Sequence, residues 1–276
     1  MSTMDRYALI GNPVAHSLSP RIHEAFAAQT GQAMGYERIE APLDDFAGTV
    51  QRFFAGGGRG CNVTVPFKGE AAHWVSRLDE AAAFAGAVNT IAVDEAEGYA
   101  GYNTDGPGLV VDLKRIAGAA ENLRVLLLGA GGAARGVARP LLRSLAGELT
   151  IANRTPARAV ALAERLAGIS AVPVRAVPFP ALTGPFDLVI NATSAGLAES
   201  VPEIPPEAVH GALCYDMVYG KTTAFCRWAL AAGARRAEDG LGMLVAQAAL
   251  AFQIWRGVLP DMARVLDQLK EELRDR

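Results

Sequence analysis

The stretch Arg124-Val125-Leu126-Leu127-Leu128-Gly129-Ala130-Gly131-Gly132-Ala133-Ala134 decides how this chain is organised. Arg124 to Leu128 is a short, nearly continuous apolar run, the pattern of a strand buried on both faces. Gly129, Gly131 and Gly132 break it, and Ala133 and Ala134 start a helical pattern. In a Gly-x-Gly-x-x-Ala turn between strand and helix, missing side chains let a pyrophosphate approach the backbone. The free amides of the first helical turn then face its negative charge. A plain tight turn would use the same glycines, but strand, spacing and helix together favour dinucleotide binding through residues Gly129, Ala130, Gly131, Gly132, Ala133 and Ala134.

Downstream, apolar runs recur at Leu149 to Ala152, Val172 to Val177, Leu188 to Ile190 and Leu213 to Tyr215, separated by helical or loop segments. That alternation predicts a doubly wound parallel sheet, whose ligands gather beyond the carboxyl ends of the strands. The second strand of such a fold ends at the adenosine ribose, where an acidic residue would accept from a free 2′-hydroxyl. Here it runs into Asn153-Arg154-Thr155. A guanidinium suits a 2′-phosphate, and Arg158, one helical turn on, can add another, so the expected cofactor is NADP. The competing account has Thr155 capping the helix opened by Pro156, with both arginines on a solvated face. Thr193, in Asn191-Ala192-Thr193-Ser194, lies just past the Leu188 strand. Met217, Gly240 and Met243 are candidate neighbours of the nicotinamide, although methionine more often fills core space.

Upstream, a strand at Tyr7 to Ile10 ends in Gly11-Asn12-Pro13, and a helix is predicted from Pro20 to Gln29 with Ile22, Ala25 and Phe26 on one face. A strand around Tyr36 to Ile39, a helix over Asp45 to Ala55, a Gly56-Gly57-Gly58 break and a buried strand at Gly60 to Val65 come next. With 276 residues, 51% of them hydrophobic, the chain can build two cores, and the boundary is placed by motif near Asp105 to Gly108. A net charge of −3 without any basic run leaves no footprint for nucleic acid or an anionic membrane. Three scattered cysteines suggest neither disulfides nor a thiolate metal cage, and the four histidines, His16, His23, His73 and His210, have no metal-ligand spacing. The N-terminal apolar run is too short for an export signal, and Leu241 to Trp255, interrupted by Gln247 and Gln253, reads as a buried helix rather than a span. These features point to small-molecule chemistry in the cytoplasm.

Four motifs make a family recognisable: Ser17-Leu18-Ser19-Pro20, Asn62-Val63-Thr64-Val65-Pro66-Phe67-Lys68, Ala87-Val88-Asn89-Thr90 and Gly101-Tyr102-Asn103-Thr104-Asp105-Gly106. The glycine turn, Asn153-Arg154-Thr155, Asn191-Ala192-Thr193-Ser194-Ala195-Gly196-Leu197 and Gly240-Leu241-Gly242-Met243-Leu244-Val245-Ala246-Gln247 succeed them in order. In this the chain resembles the shikimate dehydrogenases over nearly its whole length. The resemblance implies an N-terminal α/β substrate domain (residues 1–105 with 241–276) and a Rossmann domain for NADP (106–240). It further implies reversible reduction of 3-dehydroshikimate to shikimate in chorismate and aromatic amino-acid biosynthesis, by a monomer or homodimer.

Each matched residue also has a physical reading. Lys68 stands at an expected helix start, where the dipole opposes a cation and favours the neutral amine. Such a lysine can exchange a proton with a carbinol oxygen; a surface lysine is the plainer account. Asp105, before Gly106-Pro107, can cap a helix or, as the family match implies, partner Lys68 and accept from a substrate hydroxyl. Ser17 and Ser19, at the entry to the Pro20 helix, suit an anion, implied to be the substrate carboxylate, while Ser19 could equally be a cap. Thr64, Asn89 and Gln247 are implied partners of ring hydroxyls, and a buried Gln247 amide needs partners in any case. Tyr219 is implied near the substrate. A quinate/shikimate dehydrogenase using NAD and a non-catalytic NADPH-binding sensor remain alternatives.

Overall fold

The computed structural model describes residues 4–94, 96–118, 120–193, 200–220 and 222–274. Its contacts divide the chain into two units, one running through Gly108 and resuming at Leu244, the other spanning Leu109–Met243.

The first unit opens with β1 (Asp5–Gly11), α1 (Ser19–Thr30), β2 (Met34–Glu40), α2 (Phe46–Ala55) and β3 (Gly58–Val63). It continues with α3 (Lys68–Trp74), β4 (Arg77–Leu78), α4 (Glu80–Ala85), β5 (Thr90–Asp94), β6 (Gly98–Tyr102) and the start of α5 (Asp105–Ala117). The strands form one sheet in the order β2-β1-β3-β5-β6-β4, with β1 parallel to both neighbours and β5 antiparallel to both of its own. Side chains alternate across a strand, and β1 uses both faces: Ala8 and Ile10 join a core with Phe46, Val50, Cys61 and Phe67, whereas Tyr7 and Leu9 pack with Val14 and Tyr36. The strand expected at Gly60 to Val65 lies instead at Gly58–Val63. Thr64 and Val65 leave the sheet ahead of Pro66, which has no N–H to extend a ladder, and Val65 is 64% exposed. The β5–β6 hairpin escaped the sequence reading because β6, Gly-Tyr-Ala-Gly-Tyr, is rich in glycine and poor in β-branched residues.

The second unit contains β7 (Leu123–Leu128), α6 (Gly132–Ser144), β8 (Ala146–Ala152), α7 (Pro156–Ala167) and β9 (Val174–Val177). After these come β10 (Leu188–Asn191), β11 (Leu213–Asp216), α8 (Ala224–Ala231) and β12 (Arg236–Glu238). All pairs in its sheet are parallel, in the order β12-β11-β10-β7-β8-β9. Strand order reverses between β7 and β10, which creates the crevice that dinucleotides use. Val125, Leu126, Leu127 and Leu128 are fully buried, as a strand covered on both faces requires. β12 was not anticipated, because Arg236-Ala237-Glu238 carries no apolar run.

Two helices carry the chain from unit to unit: α5, and α9 (Leu241–Arg256), after which comes α10 (Met262–Arg274). The boundaries expected from sequence coincide with the first residues of these helices, whereas packing divides the chain within each first turn, after Gly108 and after Met243. Among the described residues no helix is long and apolar enough to cross a membrane.

Candidate active site and cofactor site

Lys68 opens α3 and Asp105 opens α5, and Lys68 Nζ donates to Asp105 Oδ2 at 2.6 Å. Asp105 is thus the first helical residue rather than the cap; its own N–H donates to Asn103 Oδ1. Asn89, 2% exposed, orders the surroundings. Its Nδ2 donates to Asp105 Oδ1 (2.8 Å) and Thr104 Oγ1 (2.9 Å) and reaches Gln247 Oε1 at 3.4 Å, while its Oδ1 accepts from Thr104 N at 2.9 Å. Gln247 Nε2 donates to the Leu244 carbonyl, so the partners demanded by a partly buried amide are present. The backbone of Lys68 is held as well, because its carbonyl accepts from Val88 N–H at 2.8 Å, next to Asn89. Both carboxylate oxygens of Asp105 are engaged, yet the side chains of Lys68 and Asp105 remain 29% and 20% exposed, which leaves the pair open to a reactant.

A second cluster lies at the start of α1. Ser19 is not a cap: it is the first helical residue, and Ser17 Oγ accepts from its N–H and donates to its Oγ at 3.1 Å. Tyr36 on β2 donates to Asn62 Oδ1 at 2.7 Å. Burial, aided by Cys61, pushes the Tyr36 phenol well above its usual pKa, against a hydrogen bond with Ser19. Asn62 Nδ2 donates in turn to the Asn89 carbonyl (3.1 Å) and Thr90 Oγ1 (3.0 Å). A continuous chain of polar groups, buried from Ser19 through Tyr36 and Asn62 to Asn89, therefore connects Ser17 with Asp105 and Lys68. Thr64 comes directly after β3, half-buried, its N–H donating to the Ile10 carbonyl. Tyr36 and Asn62 were not singled out from sequence. The available signal was a buried asparagine in an apolar strand, which must find partners.

In the second unit Gly129 adopts φ +109°, and a Cβ there would stand 2.9 Å from the Ala192 carbonyl oxygen. Only glycine permits that approach of the turn to the end of β10. Gly131 borders open space, a Cβ on Gly132 would meet only Arg135 Nη2 at 3.9 Å, Ala133 is exposed, and Ala130 and Ala134 are buried, so the mouth of α6 is largely bare backbone. Past β8, Arg154 and Arg158 are exposed, and no carboxylate of a described residue is ion-paired with either. Thr155 occupies the N-cap position of α7 with Pro156 behind it, but its side chain makes no capping bond; its carbonyl accepts from Asn153 Nδ2 at 2.9 Å. These features fit NADP: bare amides for the pyrophosphate and two guanidinium groups where an acid would mark NAD.

Thr193 donates from N and from Oγ1 (2.7 Å) to Asn191 Oδ1, and Asn191 Nδ2 donates to the buried Asp216, whose pKa burial raises. Met217 N–H donates to the Asn191 carbonyl and Gly240 N–H to the Val218 carbonyl, which brings the ends of β10 and β11 and the start of α9 together. Met243 is buried. Tyr219 is half-buried in this unit, with its pKa raised by burial, whereas the other expected substrate residues belong to the first unit. Ser194 to Leu197 lie outside the described residues.

Family models match along the chain: the shikimate dehydrogenase substrate binding domain over residues 9–91, shikimate / quinate 5-dehydrogenase over 112–200, and the shikimate 5′-dehydrogenase C-terminal domain over 240–270. The chain belongs to the shikimate dehydrogenase family. A shikimate dehydrogenase (NADP(+)) of Alkalilimnicola ehrlichii is 55% identical over 271 residues, covering 97% of this chain and 99% of that protein. Among solved structures, the Ael1 enzyme from Pseudomonas putida superposes with a TM-score of 0.91 at 44% identity, covering 96% of this chain and 98% of that one. The shikimate 5-dehydrogenase of Thermus thermophilus, in complex with NADP(H) and shikimate, superposes at 0.82 with 36% identity, covering 97% and 99%.

Proposed function

We propose that this enzyme reduces 3-dehydroshikimate reversibly to shikimate with NADPH, on the way to chorismate and the aromatic amino acids, with Lys68 and Asp105 as its proton-handling pair. The contact of 2.6 Å between Lys68 Nζ and Asp105 Oδ2, at two helix starts, with Asn89 holding the Asp105 carboxylate and Val88 N–H the Lys68 carbonyl, carries the reading. The substrate belongs to the first unit and the cofactor to the second.

Bound NADPH supplies the hydride for the carbonyl carbon. Lys68 gives a proton to the carbonyl oxygen, which becomes the carbinol; in the other direction the free amine removes that proton. Asp105 Oδ2 keeps Nζ in place, and the remaining lone pairs of the carboxylate accept from a substrate hydroxyl. Thr64, Asn89 and Gln247 supply uncharged partners for the other hydroxyls, Ser17 and Ser19 bind the carboxylate, and Tyr219 is a further substrate contact. Gly129 to Ala134 hold the pyrophosphate, Asn153, Arg154, Thr155 and Arg158 the phosphorylated ribose, and Thr193, Met217, Gly240 and Met243 the nicotinamide end. Three buried, free thiols are in keeping with a reducing cytoplasm.

Purified enzyme tested with shikimate or quinate, against NADP or NAD, should show its highest kcat/KM with shikimate and NADP by nicotinamide absorbance. Lys68→Ala should lower kcat about 10²- to 10⁴-fold with little change in the KM for shikimate. Near-normal turnover in that variant would remove Lys68 from the reaction, and a preference for NAD would overturn the cofactor assignment.

A further inference from the structure

Arg38 carries a charge that the reaction described above does not use. It stands exposed on β2, opposite Leu9 of β1, and reaches the loop that precedes α1. Its Nη2 and Nε both donate to the Ser17 carbonyl oxygen, at 2.6 and 3.2 Å. That acceptor is neutral, and among the described residues no carboxylate is ion-paired with Arg38. The adjacent Glu37 is engaged by Arg6, and Lys68, the cation at the other end of the polar chain, by Asp105.

A planar fork closed on one carbonyl restrains both the position and the direction of that peptide group. The peptide belongs to the serine whose Oγ bonds Ser19. The cation is thus anchored on the same residue that carries one hydroxyl of the pair. Hydroxyls donate to a carboxylate and to a neutral carbonyl alike, and by themselves select weakly for an anion. A cation held on their loop adds a charge that favours an anion over a neutral group.

We propose that Arg38 is a positioning and specificity-determining residue: it braces the Ser17–Ser19 loop and provides the positive charge by which this subsite selects a carboxylate over its neutral counterpart. The proposal rests on the assignment of Ser17 and Ser19 to the substrate carboxylate.

The test compares KM and kcat for shikimate and for its methyl ester in the wild type, Arg38→Gln, Arg38→Lys and Ser17→Ala. Wild type should prefer the acid, increasingly so at low salt. Arg38→Gln should raise the KM for shikimate about three- to ten-fold and shift that for the ester less than two-fold, so that the preference and its salt dependence collapse. Arg38→Lys, which retains the charge, should keep most of the preference. An Arg38→Gln enzyme that keeps the wild-type ratio, or loses both substrates equally, overturns the proposal. Failure of the underlying assignment has a different signature: wild type would not distinguish acid from ester, or Ser17→Ala would leave the KM for both unchanged.

Discussion

Asn89 shows how one amide can orient the carboxylate that Lys68 contacts. Its Nδ2 addresses Asp105 and Thr104 and its Oδ1 accepts from Thr104 N–H, so the side chain has one orientation that satisfies every partner. Arg154 is the contrasting case, an exposed side chain whose importance depends on a ligand. Arg154→Ala should raise the KM for NADPH roughly ten- to hundred-fold, the range of a charge-assisted phosphate contact, and barely alter activity with NADH. Equal losses with both cofactors, in steady-state assays, would remove the 2′-phosphate contact. Lys68, Asp105, Asn89 and Arg154 were legible as candidates because each sits in a short motif, although the bonds that join Lys68, Asn89 and Asp105 span 16 to 37 residues. Arg38 and Tyr36 were not, because no motif contains them and their partners, Ser17 and Asn62, come from elsewhere in the chain; Asn62 opens a motif, but nothing local pointed to its bonds with Tyr36 and Thr90.

Among the elements, the start of α9 is specified by several bonds at once. Tyr215, at the end of β11, accepts from Met243 N–H at 3.2 Å and donates to the buried Asp112 Oδ2 at 2.8 Å, while Asp112 Oδ1 accepts from Arg115 Nε. Burial, with Asp112 alongside, pushes the Tyr215 phenol well above its usual pKa. A Cβ on Gly242 would lie 2.1 Å from Asp112 Oδ1, so glycine is what lets the carboxylate approach the first turn of α9, where the dipole favours an anion. Gly242→Ala should therefore destabilise the second unit by about 1–3 kcal/mol in urea unfolding, through overpacking against a buried carboxylate. Tyr215→Phe should cost about 1–3 kcal/mol by leaving two buried groups unpaired. Their effects should be less than additive because both disturb one network. Wild-type urea midpoints in both variants would contradict this account. The helical character of α9 was readable from its apolar run, and α1 and α2 from their periodicity. The glycine's purpose was not, since Asp112 lies far away in sequence.

For the molecule as a whole, His23 makes the folding equilibrium depend on pH. It is fully buried, stacked on Tyr36 at 4.2 Å between ring centroids and set edge-on to Phe26. Among the described residues neither ring nitrogen has a partner in hydrogen-bonding geometry. Burial lowers its pKa from 6.5 to about 3, against a smaller opposing pull from Asn62. The unfolded chain therefore binds a proton between these values that the folded chain refuses, so this stability is complete above about pH 6.5 and is lost as pH falls toward 3. Between pH 7 and pH 5 the transition of the first unit should lose roughly 2 kcal/mol from this residue. His23→Leu should flatten the pH profile whatever its effect on absolute stability; an unchanged slope in urea titrations would rule the mechanism out. Hydrophobic periodicity, the glycine turn and the motifs determined, from amino-acid order alone, the parallel dinucleotide-binding sheet, and marked Arg154 and Arg158 past its second strand, and Lys68 and Asp105 at helix starts, as candidates. Those features depend on neighbours in sequence, where each residue's backbone preference constrains the next few residues directly. Only the tertiary structure decided the mixed first sheet, the crossing of the chain inside α5 and α9, the aromatic burial of His23 and the bracing of Ser17 by Arg38. Each of these arises where packing and hydrogen bonding join residues distant in the chain, and no local pattern encodes such pairings.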